Sequence, residues 1–137
     1  MTRINSGIEP SELCDQHLVA EYREIGRIGT LLKKRIGKSD MLKGKPNEFT
    51  LGKGHMLFFL DKGEYIRKRF CRLVAEMHNR GFNTTLEWRD QWQSVPSLNN
   101  DWLPDARVRE IVSERIRERM PKNPKTPRKR GNINDGN

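Results

Sequence analysis

The chain has 137 residues, enough for one domain with one modest core. Hydrophobic residues make up 34% and charged residues 33%, so the core must be economical and the surface highly charged; no run of apolar residues is long enough for a membrane-spanning helix. The formal net charge is +9, and residues 115–137 hold eight Lys and Arg against two acids, a local +6 that leaves +3 for the first 114 residues. A basic end on a nearly balanced body suits a polyanion, of which nucleic acid is the commonest. The first thirty residues lack a signal-peptide core, so the protein is expected to be intracellular, with Cys14 and Cys71 as free thiols.

The chain opens with Met1-Thr2-Arg3-Ile4-Asn5. A small second residue suits removal of Met1, which leaves Thr2 with a free α-amine beside the cation Arg3. An α-amine has a pKa near 8, so roughly a tenth is unprotonated at neutral pH, against well under ~0.1% of an ordinary lysine. Such an amine attacks electrophilic carbon and forms a Schiff base without a buried, shifted lysine.

Pro10-Ser11-Glu12 reads as a helix start. Leu13, Leu18, Val19, Tyr22, Ile25, Ile28, Leu31 and Leu32 then recur at helical spacing, which predicts a helix over 10–36 with a bend at Gly26 or Gly29. Residues 37–53 form a loop with a basic start. Gly52-Lys53-Gly54-His55 opens a second helical pattern, buried through Met56, Leu57, Phe59, Leu60, Ile66, Phe70, Leu73, Val74 and Met77 and ended by Gly81 as a left-handed cap. The glycine-rich start is a turn, or a phosphate cradle at a helix N-terminus. Gly63 falls inside this pattern, at a cost of up to ~1 kcal/mol against Ala. Residues 82–103 are loop-like, and Trp88, Trp92 and Trp102 close the core. A third helix runs from Pro104-Asp105 to before Pro121. Residues 121–137 are Pro-rich, basic and expected to be disordered. Nothing reads as a strand. The expected architecture is all-α: a domain over 1–120 with three main helices joined by loops, and a basic tail over 121–137.

On the first helix, His17 and Glu24 lie seven residues apart, close to two turns, and so point nearly the same way. Arg23 and Arg27 lie four apart on either side of Glu24, a spacing that favours an anion between them. Reach permits the terminal amine to fold back toward Glu24. An amine attacking C1′ of a deoxyribose expels the base and leaves an iminium cation, which a carboxylate would stabilise while arginines hold phosphates. One nucleophile, one carboxylate and several cations suffice for a glycosylase with lyase activity, and no metal or other cofactor enters. His17, His55, His78, Cys14 and Cys71 are too scattered for a zinc pattern. A non-catalytic basic DNA-binding protein has the same composition, and the Thr2, Arg23 and Glu24 set argues against it.

These residues resemble a family. Met1-Thr2-Arg3-Ile4-Asn5, Ser-Glu-Leu-Cys-Asp-Gln-His-Leu-Val-Ala-Glu-Tyr-Arg-Glu at 11–24, Phe-Thr-Leu-Gly-Lys-Gly-His-Met-Leu-Phe-Phe-Leu-Asp-Lys at 49–62 and the 67–83 helix ending Arg-Gly-Phe-Asn look like the pyrimidine-dimer DNA glycosylase/AP lyase family, of the phage ultraviolet endonuclease type. The resemblance covers most of residues 1–83 and, loosely, the last helix. It implies an enzyme that kinks duplex DNA, flips a base and forms a Schiff base through the Thr2 amine, with Glu24 as the essential carboxylate. Arg3, Gln16, His17, Arg23 and Arg27, and more loosely Arg115 and Arg119, become DNA and active-site contacts. The implied partner is double-stranded DNA carrying a damaged base or an abasic site, met by a monomer in the cytoplasm or nucleoid of a bacterium or phage-infected cell. The chain departs from the family in its end, which has no aromatic residue after Trp102 where the family has a Trp/Tyr-rich tail. A different lesion from the pyrimidine dimer is therefore the alternative substrate.

Overall fold

The computed structural model describes residues 3–126. Five α-helices order these residues: α1 (Asp15–Glu24), α2 (Gly26–Arg35), the one-turn α3 (His55–Phe58), α4 (Gly63–Asn79) and α5 (Ala106–Glu118). Of three short 3-10 turns, Pro10–Glu12 precedes α1, and Gln91–Ser94 and Pro96–Leu98 lie between α4 and α5. Among the described residues there is no strand, only an isolated bridge between Lys62 and Asn99. The all-α class is therefore as expected, and no described helix is long and apolar enough to cross a membrane.

Two of the three expected helices are each broken in two. The first begins not at Pro10, which opens a 3-10 turn, but at Asp15. It breaks at Ile25, where the Ile28 N–H reaches back three residues to the Ile25 carbonyl at 3.3 Å. Gly26 follows the break and has the weakest helix propensity after Pro. The second expected helix breaks at Asp61-Lys62. Phe58, Phe59 and Leu60 are all buried, and three successive residues cannot share one face of a continuous helix. The chain instead turns after α3 and restarts at Gly63.

That restart changes the meaning of Gly63. It stands at the first position of α4, against the fully buried Trp92. A Cβ there would overlap Trp92 Cγ and lie 2.5 Å from Asn99 Oδ1. Gly63→Ala should therefore destabilise the protein by about 1–3 kcal/mol through overpacking, although Ala is the better helix former. The midpoint of chemical denaturation checks this; an unchanged or raised midpoint would mean that the indole shifts freely.

α1 packs across α4, and α2 packs on the Gln91–Ser94 turn. Ile4, Leu18, Ile25, Ile28, Leu32, Phe59, Leu60, Ile66, Leu73 and Trp92 are fully buried between them. Trp92 donates from Nε1 to the Leu60 carbonyl at 2.9 Å, stacks against Trp88, and so ties the 82–103 segment to the core as expected. Trp102 stacks on Phe49 and meets Phe58, Phe59 and Tyr65 edge-on. Gly81 has φ +83, and the Phe82 and Gly81 N–H groups bond the Met77 and His78 carbonyls, closing α4 with the cap expected of that glycine. Asp105 caps α5 by accepting from the Val108 N–H at 3.0 Å. Cys14 is buried, Cys71 is exposed, and both are free.

The segment expected to be a tail begins with a tether. The Asp15 N–H donates to the Lys125 carbonyl at 2.6 Å, so residues 121–126 run back over the start of α1. The rest of the expected tail, 127–137, lies outside the described residues.

Candidate active site

Four α1 side chains, His17, Ala20, Glu21 and Glu24, follow one another at helical spacing and line one wall of a cleft of about 180 Å³. Arg3 and Asn5 supply the second wall, and Ile116 and Arg119 at the end of α5 the third. His17 and Glu24 thus face the same space, as their spacing implies. The N-terminal segment and α5, distant in sequence, complete the cleft.

The N-terminal segment is fastened at three points. The Ile4 N–H donates to His55 Nε2 at 2.8 Å. Asn5 Nδ2 donates to Glu21 Oε1 at 2.9 Å. Arg69 Nη1 donates to the Ile8 carbonyl at 2.7 Å. Glu21 and Arg69 also form a bidentate ion pair, with Nε–Oε2 at 2.7 Å and Nη2–Oε1 at 3.0 Å, and neither side chain is more than 3% exposed. Burial alone would lower the Arg69 guanidinium, but the charge and hydrogen bonds of Glu21 outweigh it and raise the group above its ordinary value. One buried pair therefore holds α1, α4 and the chain start together.

The electrostatics of the cleft are positive with one open carboxylate. Burial and then the charges of Arg115 and Arg119 lower the Arg3 guanidinium, while Glu24 acts in the opposite sense. All four groups therefore lie within one field. Glu24 is half-buried and has no ion pair within 4.0 Å among the described residues. Arg3 Nε and His17 Nδ1 are buried without a hydrogen-bond partner among the described residues. His17 Nε2 donates to the Arg119 carbonyl at 3.1 Å, since a carbonyl can only accept. A carboxylate free of partners, with cations on its rim, can accept a proton or steady a cation that forms beside it.

A family model for pyrimidine dimer DNA glycosylase matches residues 1–90 of this chain. The chain belongs to the pyrimidine dimer DNA glycosylase family. The match runs from the N-terminal segment through α4 and so takes in Arg3, His17, Glu21, Glu24 and Arg69, while α5, with Arg115 and Arg119, lies beyond it. Membership makes this a protein of DNA repair whose partner is damaged DNA.

The other expected site residues of this glycosylase-family chain are placed differently. Arg23 and Arg27 do not line the Glu24 cleft. They come together with Tyr22, Thr30, Trp88 and Arg89 on a separate groove of about 480 Å³, so the last turn of α1 divides the two openings. Gln16 faces neither. Its Nε2 donates to the Asn123 carbonyl at 2.7 Å and its Oε1 accepts from the Lys125 N–H at 3.0 Å, so its amide grips the C-terminal segment at both ends. Arg115 is half-buried, pairs with Glu118 at 3.4 Å and acts on the cleft through its charge rather than as a lining group. Thr2 lies outside the described residues. Among the described residues, no three His, Cys, Asp or Glu side chains come together as metal ligands.

The sequence reading singles out neither Asn5, Glu21, Arg69 nor His55 as part of this apparatus. Arg69 carries a signal of its own: it sits between Ile66 and Leu73 on the buried stripe of α4, where a charge requires a partner. Glu21, four residues after His17 and three before Glu24, shares their face. Which acid meets which arginine is not visible without the packing.

Proposed function

We propose that this glycosylase-family chain is also an AP lyase, and that both activities run through the α-amine of Thr2 once Met1 is removed. The substrate is double-stranded DNA with a pyrimidine dimer or an abasic site, and the enzyme acts as a monomer. Arg3, one peptide bond from that amine, lines the same cleft as Glu24, and this juxtaposition carries the proposal. The unprotonated amine attacks C1′, the glycosidic bond breaks, and the base leaves with the bonding electrons. Loss of the ring oxygen's bond to C1′ then gives an iminium, whose positive charge the Glu24 carboxylate steadies. Removal of a C2′ proton, for which Glu24 is placed as the base, expels the 3′ phosphate by β-elimination. The positive charges of Arg3, Arg115 and Arg119, which act on one another at this cleft, attract the phosphate backbone. Arg23, Arg27, Gln16 and His17 are assigned to DNA contact, Gln16 only after its grip on residues 123–125 is released.

Borohydride trapping tests the proposal. Ultraviolet-irradiated duplex, incubated with the protein and EDTA, should give a covalent protein–DNA complex on reduction. Acetylating the N-terminal amine should abolish it. Adducts formed equally by acetylated protein would place the nucleophile elsewhere. A panel of defined lesions run alongside reads the preferred base, and nicking confined to other lesions would replace the dimer as substrate.

A further inference from the structure

We propose that His55 is a positioning residue for the amino terminus: its neutral imidazole holds the chain at Ile4 and thereby sets where the amine two residues earlier can reach. This rests on the assignment of the Thr2 amine made above and deepens it.

His55 is the first residue of α3 and is 3% exposed. Its Nδ1 lies 2.8 Å from the Thr50 carbonyl oxygen and its Nε2 lies 2.8 Å from the Ile4 nitrogen. The carbonyl can only accept, so Nδ1 carries a proton. The backbone N–H can only donate, so Nε2 must present a lone pair. Only the neutral Nδ1–H tautomer meets both demands. A charged ring would set N–H against N–H at Ile4 and undo the fastening. The Gly-Lys-Gly-His start of α3 therefore supplies, through the His55 ring, a buried acceptor for the chain start.

The surroundings favour the neutral ring. Phe49 and Phe59 meet it edge-on, with centroids 5.5 Å and 5.3 Å away. The charged groups that act on it are Arg3 of the N-terminal segment, Glu21 of α1 and Arg115 of α5. Burial lowers its pKa from the ordinary 6.5, the Thr50 bond and Glu21 oppose this, and Arg3 and Arg115 add to it. Between its folded value and 6.5 the unfolded chain holds a proton that the folded chain does not. Stability from this site therefore rises with pH across that window and is lost as pH falls through it.

Ile4 is fully buried and Asn5 is held by Glu21, so losing the His55 acceptor should misplace the terminus without releasing it. His55→Leu removes the acceptor; His55→Gln restores an oxygen that can accept. In folded His55→Leu, affinity for an abasic-site duplex should be kept while the single-turnover rate of borohydride trapping falls about 10- to 100-fold. His55→Gln should recover part of that rate. The wild-type rate should also fall more steeply than first order in pH below the His55 value, because amine and imidazole must both be unprotonated, whereas His55→Gln should show the first-order slope of the amine alone. Wild-type trapping by folded His55→Leu would overturn the inference and leave the amine assignment standing. Absence of any adduct from the wild type would overturn the amine assignment, and with it the role of His55. If His55→Leu does not fold, nitrogen NMR of the unsubstituted protein decides: the Nδ1–H tautomer at neutral pH supports the inference, and the Nε2–H tautomer overturns it.

Discussion

Glu24→Gln should reduce strand cleavage by about 10²–10⁴-fold, the range for a group that moves a proton or steadies transition-state charge. The fold should be untouched. Among the described residues Glu24, at the end of α1, has no ion pair to break, and Gln keeps its shape. Binding should hold or tighten, because the change removes a negative charge from a cleft that receives phosphates. Single-turnover cleavage of an abasic-site duplex, measured beside the dissociation constant, separates the two effects. Glu24→Asp should fall between wild type and Gln, since it keeps the charge and withdraws it by one methylene. A Gln variant that cleaves at the wild-type rate would remove Glu24 from the mechanism. The neighbouring Glu21 offers no substitute: its oxygens are taken by Asn5 and Arg69.

Arg69→Met should cost about 3–5 kcal/mol of folding stability, the range for breaking a buried ion pair from one side. The cost comes mainly from what remains. Glu21, with a fully buried side chain, would lose both guanidinium bonds with no water to replace them, and the Ile8 carbonyl would lose its donor. Against a total of about 5–15 kcal/mol for a domain of this kind, that is a large fraction. Urea denaturation measures it. The double variant Glu21→Leu/Arg69→Met should recover much of the loss, because a matched apolar pair carries no unpaid desolvation. It should not recover activity in proportion, since Glu21→Leu takes away the acceptor of Asn5 as well, and the N-terminal segment then keeps only the His55 fastening of its three. A single variant as stable as wild type would mean that water reaches Glu21.

Glu24 and Arg69 show two ways in which a charged residue serves one cleft. Glu24 has no ion pair among the described residues and stays available for chemistry. Arg69 is wholly consumed in partners and fixes the wall on which that chemistry depends. Glu21, three residues from Glu24 on the same helix, belongs with the second kind. Proximity in sequence does not separate them; burial does.

Much of this was settled along the chain. Hydrophobic spacing placed the buried stripes of α1, α2 and α4, Gly81 ended α4, Asp105 opened α5, and a seven-residue interval put His17 and Glu24 on one side of α1. These are local consequences of helical geometry and backbone preference, so they need no partner to be read. The break at Ile25 falls beside Gly26, one of the two glycines at which a bend was expected, whereas the break at Asp61-Lys62 was decided by packing, because three successive buried residues and a tryptophan pressed against Gly63 cannot be met by a straight helix. The division of Arg23 and Arg27 from the Glu24 cleft, the grip of Gln16 on residues 123–125, the Glu21–Arg69 pair and the tautomer of His55 were decided the same way. Each joins groups far apart in sequence, and the free energy of burying a charge or an N–H depends on what lies opposite it, which only the folded chain specifies.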